Sequence, residues 1–68
     1  MNIVVNGHPR VVAAASPLLD VLDLEQGAPP PRGVAVALDG SVVPRARRAE
    51  TVLHEGARVE VVTAVQGG

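Results

Sequence analysis

The residues of this chain with the clearest chemical potential are its last two, Gly67 and Gly68, which follow an apolar strand-like run. The carboxylate of a terminal glycine is ionised at neutral pH, because an α-carboxyl has a pKa of about 3.5. Glycine has no Cβ, so a Gly-Gly tail can enter a slot that would exclude any larger dipeptide. Four extended residues reach about 13 Å at about 3.3 Å each. We therefore expect residues 66–68 to form a flexible tail that is long enough to place a carboxylate in another protein's site. A frayed terminus that happens to contain glycine is the simpler interpretation of these residues alone.

No other residues of the chain resemble an autonomous active site. There is no Cys, and the two histidines, His8 and His54, lie beside predicted turns, where we expect them to be solvated and without partners. The carboxylates are scattered, and no glycine-rich phosphate loop is present. The sequence thus predicts a protein that binds no ATP, metal or other cofactor by itself, and no residues support an enzyme.

Two small groups of side chains are candidates for docking a partner protein. Three guanidinium groups within four residues could pair with an acidic surface through bidentate hydrogen bonds, although a solvated turn is the simpler alternative. Apolar side chains on the outward face of the last strand would form an exposed patch beside the tail, provided that a helix covers the opposite face. The candidates are Arg45, Arg47 and Arg48 in the first group and Val62 and Ala64 in the second, together with Val65 next to the tail.

Length and composition limit the class of protein. Sixty-eight residues correspond to one domain, and the 47% apolar fraction supplies a core without any Phe, Tyr or Trp. The net charge of −1 and the absence of aromatic residues argue against nucleic-acid binding. No signal peptide and no apolar run of about 18 residues is apparent, so we expect a soluble cytoplasmic protein that does not bind membranes.

Turn signals and apolar periodicity predict two hairpins on either side of one helix. Asn6-Gly7 and Asp39-Gly40 are typical of type I′ turns, whose two central residues both need positive φ. The run before the second turn is almost continuously apolar, which indicates a strand buried on both faces. The predicted strands are Met1–Val5, Arg10–Ala14, Gly33–Leu38, Ser41–Val43 and Arg58–Val65.

The helix is predicted to begin at Ser16-Pro17. Serine can cap the free N–H groups of the first turn, and proline suits the first helical position. The expected buried stripe comprises Leu18, Leu19, Leu22 and, less clearly, Val21.

The order of elements indicates an α+β fold. A mixed sheet of four or five strands with a single helix across one face buries these stripes, with the first and last strands in the centre. We expect one such domain over residues 1–65, followed by the tail.

Four segments match one family: Met1–Gly7, Ser16–Leu22, Val36–Arg45 and Leu53–Gly68. The last is the most specific, because a Val-x-Gly-Gly terminus follows Val-Pro-Arg and Gly-x-x-Val-Glu at this total length. On these segments the chain resembles the ThiS family, the sulfur carrier proteins of thiamine biosynthesis, which have the ubiquitin-like β-grasp fold. One departure is Arg48, since the family often has an aromatic residue shortly after Val-Pro-Arg.

The resemblance implies a carrier whose Gly68 carboxylate is modified by partner enzymes. A ThiF-like adenylyltransferase would use ATP and Mg to form an acyl adenylate on Gly68. A sulfur donor, ultimately cysteine through a cysteine desulfurase, would then replace AMP and leave a thiocarboxylate. A ThiG-like thiazole synthase would take that sulfur, with Gly67 and Gln66 threading into the partner sites.

Other interpretations of the same residues stay open. The small subunit of molybdopterin synthase and the carriers for cysteine synthesis or tRNA thiolation share the fold and the Gly-Gly end. A ubiquitin-like modifier would instead join Gly68 to another protein through an isopeptide bond. A non-covalent interaction domain would leave the tail idle, and its activity would survive deletion of Gly67 and Gly68.

Overall fold

The computed structural model describes residues 1–26 and 33–63 of the chain. Residues 27–32 and 64–68 lie outside this described part. The described elements, in chain order, are β1 (Asn2–Val5), β2 (His8–Val11), α1 (Leu18–Gln26), β3 (Val34–Leu38), β4 (Ser41–Val42), a 3₁₀ turn (Arg45–Arg47) and β5 (Arg58–Thr63).

The strands form one mixed sheet in the order β2-β1-β5-β3-β4. β1 and β5 are parallel, whereas the β1–β2, β3–β4 and β3–β5 pairs are antiparallel. The first and last strands therefore lie next to each other inside the sheet, as predicted. A five-stranded mixed sheet with one helix confirms the expected α+β fold of the β-grasp type.

Both predicted hairpin turns are present. Asn6 and Gly7 have φ values of 50° and 80°, and Asp39 and Gly40 have φ values of 51° and 87°. Positive φ at two successive residues defines the type I′ geometry, whose twist matches the flanking strands. These turns were predictable because the dipeptides themselves supply the required backbone conformation.

Strand β2 begins two residues earlier than predicted, directly after its turn. Pro9 lies opposite Val4 in the antiparallel pairing of β1 with β2. Proline is tolerated there because β2 is an outer strand of the sheet, so the missing N–H need not bond to a further strand.

The predicted serine cap of the helix is wrong. The Ser16 hydroxyl donates to a carbonyl of the preceding turn at 2.6 Å, and the helix begins only at Leu18. Backbone carbonyls satisfy the first helical N–H groups instead: Leu18 N donates to Thr51 O at 2.7 Å, and Leu19 N donates to Arg48 O at 3.1 Å. Backbone carbonyls of the segment after the 3₁₀ turn thus cap the N-terminus of α1.

The core lies between α1 and one face of the sheet. Helix residues Leu18, Val21 and Leu22 are at most 2% exposed, whereas Leu19 is only half-buried. The buried stripe therefore contains Val21 where Leu19 was expected. Among the described residues, the buried apolar side chains are Ile3, Val5, Leu18, Val21, Leu22, Val34, Val36, Leu53, Ala57 and Val59.

Strand β3 is buried on one face only, which corrects the prediction that both faces are covered. Val34 and Val36 point into the core, but Ala35 between them is exposed. A run of valine and alanine looks uniformly apolar in sequence, yet the small alanine side chain faces outward here. The sheet consequently has an open face opposite α1 in the described part of the chain.

Candidate functional site

The predicted chemical end of the protein lies outside the described residues. This applies to Gln66, Gly67 and Gly68, and also to Ala64 and Val65. What the structure does define is the root of the tail, which is strand β5 up to Thr63.

The two neighbours of β5 support it over different lengths. β3 pairs with it along five positions, from Leu38 opposite Val59 to Val34 opposite Thr63. β1 pairs with it only as far as Val5 opposite Val59, because the chain then turns away. Beyond that point the β1 side of β5 has lost its neighbouring strand.

Where β1 ends, the side chain of Asn6 forms the hydrogen bonds to β5. Val61 N–H donates to Asn6 Oδ1 at 2.7 Å, and Asn6 Nδ2 donates to Val61 O at 3.2 Å. The backbone N–H of Asn6 also donates to Val59 O at 2.9 Å. Sequence reasoning assigned Asn6 to a hairpin turn only, since nothing local reveals a partner 55 residues away.

The open face of the sheet carries an apolar patch beside the tail root. Val62 is 61% exposed and lies opposite Ala35 of β3. Val42 of β4 is 76% exposed and lies opposite Ala37. The outward direction expected for Val62 is thus observed, and its role in docking stays a prediction.

A shallow depression of about 270 Å³ adjoins this face between the end of β1 and β5. Its rim contains the side chains of Arg58 and Glu60, one positive and one negative, and the polar amide of Asn6. The open face therefore offers hydrogen-bonding and charged groups next to its apolar residues.

Two of the three candidate arginines are exposed on the 3₁₀ turn. Arg47 Nη1 pairs with Glu50 Oε1 at 3.2 Å, and both side chains are more than 60% exposed. Exposed pairs of this kind contribute about 0–1 kcal/mol, so a partner carboxylate can replace Glu50 at little cost. Arg45 and Arg47 thus remain candidates for docking.

Arg48 does not belong to that group, and its predicted docking role is wrong. The residue is 5% exposed, and its Nη2 donates to Val34 O at 2.7 Å. Nε has no hydrogen-bond partner among the described residues. Burial lowers the pKa of Arg48, with a smaller effect from the positive charge of Arg45. The arginine stem thus occupies an interior position.

His54 has partners, contrary to prediction. Its Nε2 lies 2.7 Å from Asp39 Oδ2, and its Nδ1 lies 2.9 Å from Glu55 O. Both partners accept hydrogen bonds, so the geometry suits a ring protonated on both nitrogens. Asp39 also accepts a bond from Arg58 N–H at 2.9 Å. The cluster ties the β3–β4 turn to the segment that enters β5.

The protonation of this cluster follows from its bonds. The hydrogen bond to Asp39 raises the pKa of His54, and the carbonyl of Glu55 adds to this effect. The N–H of Arg58 lowers the pKa of Asp39, followed by the bond to His54. The pKa of Glu55 is also lowered, because its carboxylate accepts a hydrogen bond from Asn2 N–H.

We expect stability to fall as the pH rises from 6 to 8. The stabilisation from His54 is fully present below its unfolded pKa of about 6.5 and is lost as the pH rises through the higher folded pKa. The stabilisation from Asp39 and Glu55 is present above about pH 4 and is lost on acidification through their lowered folded pKa values. Urea unfolding midpoints measured from pH 3 to pH 9 would show a maximum between these limits.

Asp39→Asn is a matched control for that pH profile. Asparagine tolerates the positive φ and keeps an oxygen for Arg58 N–H, but it loses the charge that attracts the imidazolium. The decline between pH 6 and pH 8 should become smaller in this variant. Parallel profiles for the two proteins would contradict the assignment to His54.

Neither a cluster of metal ligands nor a membrane-spanning helix is present among the described residues. Across residues 1–26 and 33–63, no group of three or more His, Cys, Asp or Glu side chains is arranged to hold a metal ion. The helix in this part of the chain is too short and too polar to cross a membrane.

Comparison with known proteins identifies the family of this chain. The model of the ThiS family matches residues 3–68. A crystal structure of the thiamine biosynthesis protein (ThiS) from Geobacter metallireducens is similar, with 31% identity, a TM-score of 0.82 and 100% of both chains covered. A solution NMR structure of a thiamine biosynthesis protein from the same organism has 31% identity and a TM-score of 0.77, with 100% of this chain and 88% of that chain covered. No curated protein matches the chain. This chain belongs to the ThiS family, as its four matching sequence segments indicated.

Proposed function

We propose that this protein is a sulfur carrier of thiamine biosynthesis and that the carboxylate of Gly68 carries the sulfur. The observation that supports this most strongly is the family match over residues 3–68, which includes the Gly67-Gly68 motif. The likeness to ThiS structures over the whole chain supports the same role. The fold contributes a rigid platform, because β5 is the central strand of the sheet and leads towards the tail.

The proposed chemistry begins with activation of a poor electrophile. A carboxylate oxygen of Gly68 attacks the α-phosphorus of ATP, pyrophosphate leaves, and an acyl adenylate forms. A persulfide sulfur from a cysteine desulfurase then attacks the carbonyl carbon, and AMP leaves. Cleavage of the resulting disulfide bond by a thiol gives the thiocarboxylate, whose sulfur is a soft nucleophile. A thiazole synthase would take this sulfur.

In this proposal the chain is a protein substrate and not an enzyme. The ThiF-like adenylyltransferase binds ATP and Mg and supplies the groups that stabilise charge in the transition states. The carrier supplies a terminal carbonyl flanked by glycine, which partners can approach closely. It also supplies the surface by which they recognise it.

We place that surface on the open face of the sheet and on the adjoining polar groups. Val62 is exposed beside the tail root, and burying an exposed apolar side chain favours association. Arg45 and Arg47 add positive charge for an acidic partner, whereas Arg48 is buried and is left out. Ala64 and Val65 follow β5 in the sequence, lie outside the described residues, and stay part of the proposal.

The test is intact mass after incubation with a ThiF-like adenylyltransferase, MgATP and a sulfur donor. We expect the mass gain that replacement of one oxygen by sulfur produces, and none when ATP is omitted. Adding a ThiG-like thiazole synthase with its other substrates should return the mass to its original value. An unchanged mass, with an enzyme that demonstrably loads another carrier, would contradict the proposal. Conjugates to other proteins would instead support the modifier alternative.

A further inference from the structure

The backbone hydrogen bonds of the parallel β1–β5 pair show which main-chain group the side chain of Asn6 replaces. In this ladder Val4 N–H donates to Ala57 O, and two residues later Asn6 N–H donates to Val59 O, each at 2.9 Å. The next bond of a continuing parallel ladder would join Val61 N–H to the main-chain oxygen of residue 6. The chain turns at Asn6 instead, and the side-chain oxygen of the same residue accepts that bond at 2.7 Å.

The carboxamide of Asn6 thus stands in for the two backbone groups that a continuing β1 would supply, the C=O of residue 6 and the N–H of residue 8. Its Oδ1 and Nδ2 bond to the N–H and the C=O of Val61. Because neighbouring N–H and C=O groups of one strand residue point the same way, Val61 has none left for β3. Its only described backbone bonds are therefore those to Asn6.

This contact is the last described support of β5 on its β1 side. Val61 is followed by seven residues, which span at most about 25 Å to Gly68 when fully extended. If the strand frays from Val61, more backbone must be ordered each time the tail enters an enzyme site. Productive placement of the Gly68 carbonyl then becomes rarer, although the docking surface itself is unchanged.

We propose that Asn6 is a positioning residue for sulfur loading, acting through Val61 to hold the root of the tail. This inference rests on the function proposed above. The side chain bonds to the backbone of Val61, seven residues before Gly68. Its proposed effect is therefore on how often the bound carrier presents Gly68 correctly. It should appear in kcat of the adenylyltransferase and not in KM for the carrier.

Asn6→Gly is the informative variant. Glycine adopts the positive φ of a type I′ turn without strain, so the hairpin is retained while the carboxamide is removed. Gly56→Ala is the control for general loss of stability. Its φ of 80° disfavours alanine, but the added Cβ would meet nothing within 4 Å. Gly56 N–H bonds to Asn2 O, at the opposite end of β1 from Asn6.

Two measurements on the full chain test whether Asn6 positions the root of the tail for sulfur loading. Amide hydrogen exchange by NMR should show faster exchange at Val61 in Asn6→Gly and unchanged exchange there in Gly56→Ala. Loading by the adenylyltransferase should show kcat reduced about tenfold in Asn6→Gly, with KM within about twofold of wild type, as expected when placement rather than binding is lost. Gly56→Ala should load like the wild type.

The inference is overturned if Val61 exchanges at the wild-type rate in Asn6→Gly, or if it exchanges faster while kcat is unchanged. An equal loss of kcat in Gly56→Ala would also overturn it, because the effect would then follow stability alone. If the wild type itself is never loaded, the proposed function fails and this inference fails with it. A loaded wild type with an equally active Asn6→Gly variant removes the inference only.

Discussion

Deletion of Gly67 and Gly68 is expected to abolish sulfur loading and to leave the unfolding midpoint unchanged. The buried core extends from Ile3 to Val59, so every core residue remains in the shortened chain. The proposed reaction, in contrast, needs a carbonyl that reaches the partner's site, and the deletion shortens the tail by about 7 Å. Intact mass after the loading reaction and thermal unfolding by circular dichroism measure the two properties separately.

A single deletion separates reach from the chemistry of the terminus. Removing Gly68 alone leaves a terminal glycine carboxylate at Gly67, but about 3.5 Å short of its normal position. We expect this variant to fail in loading as well, because the electrophilic carbon no longer meets the α-phosphate of ATP. Normal loading of the doubly deleted chain would contradict the requirement for Gly67 and Gly68. A non-covalent interaction domain would instead not be loaded at either length, and its activity would survive the deletion.

The parts of the fold that were predictable from sequence are those fixed by neighbouring residues. Asn6-Gly7 and Asp39-Gly40 produce type I′ turns because their own side chains permit positive φ. The Gly-Gly end was visible for the same reason, since its chemistry resides in two adjacent residues. Once the turns and the helix were placed, the need to bury apolar stripes left few possible sheets.

The parts that were missed depend on contacts between distant segments. The first N–H groups of α1 bond to the carbonyls of Thr51 and Arg48, about thirty residues further along the chain, so the local serine signal was misleading. His54 bonds to Asp39 across 15 residues, and Asn6 bonds to Val61 across 55. No periodicity or motif in the sequence reports such pairs.

Arg48 shows how composition can mislead. Three arginines within four residues suggest an exposed basic surface, and two of them are indeed exposed. Arg48 instead turns inward, because the carbonyl of Val34 at the start of β3 accepts a hydrogen bond from Nη2 of Arg48. Whether an arginine faces solvent or an interior carbonyl is decided by the packing around it, and a sequence pattern does not contain that information.

Leu22→Ala is expected to have the largest effect on stability among the substitutions considered. Leu22 is fully buried between α1 and the sheet, and truncating such a leucine typically costs about 2–5 kcal/mol. A domain of this size has a total stability of about 3–10 kcal/mol, at roughly 0.05–0.15 kcal/mol per residue. The variant should therefore be partly or largely unfolded at 25 °C, which chemical denaturation would quantify.

Leu24→Ala provides the matched control, because it makes the same chemical change two residues further along the same helix. Leu24 is 78% exposed, and leucine and alanine have similar helix propensities, so we expect a change within about 0.5 kcal/mol. Loading of Leu22→Ala should fall only in proportion to its unfolded fraction, because its folded molecules keep both the tail and the Asn6–Val61 contact. Equal destabilisation by the two substitutions would mean that α1 does not pack on the sheet through Leu22, and the described core would be wrong.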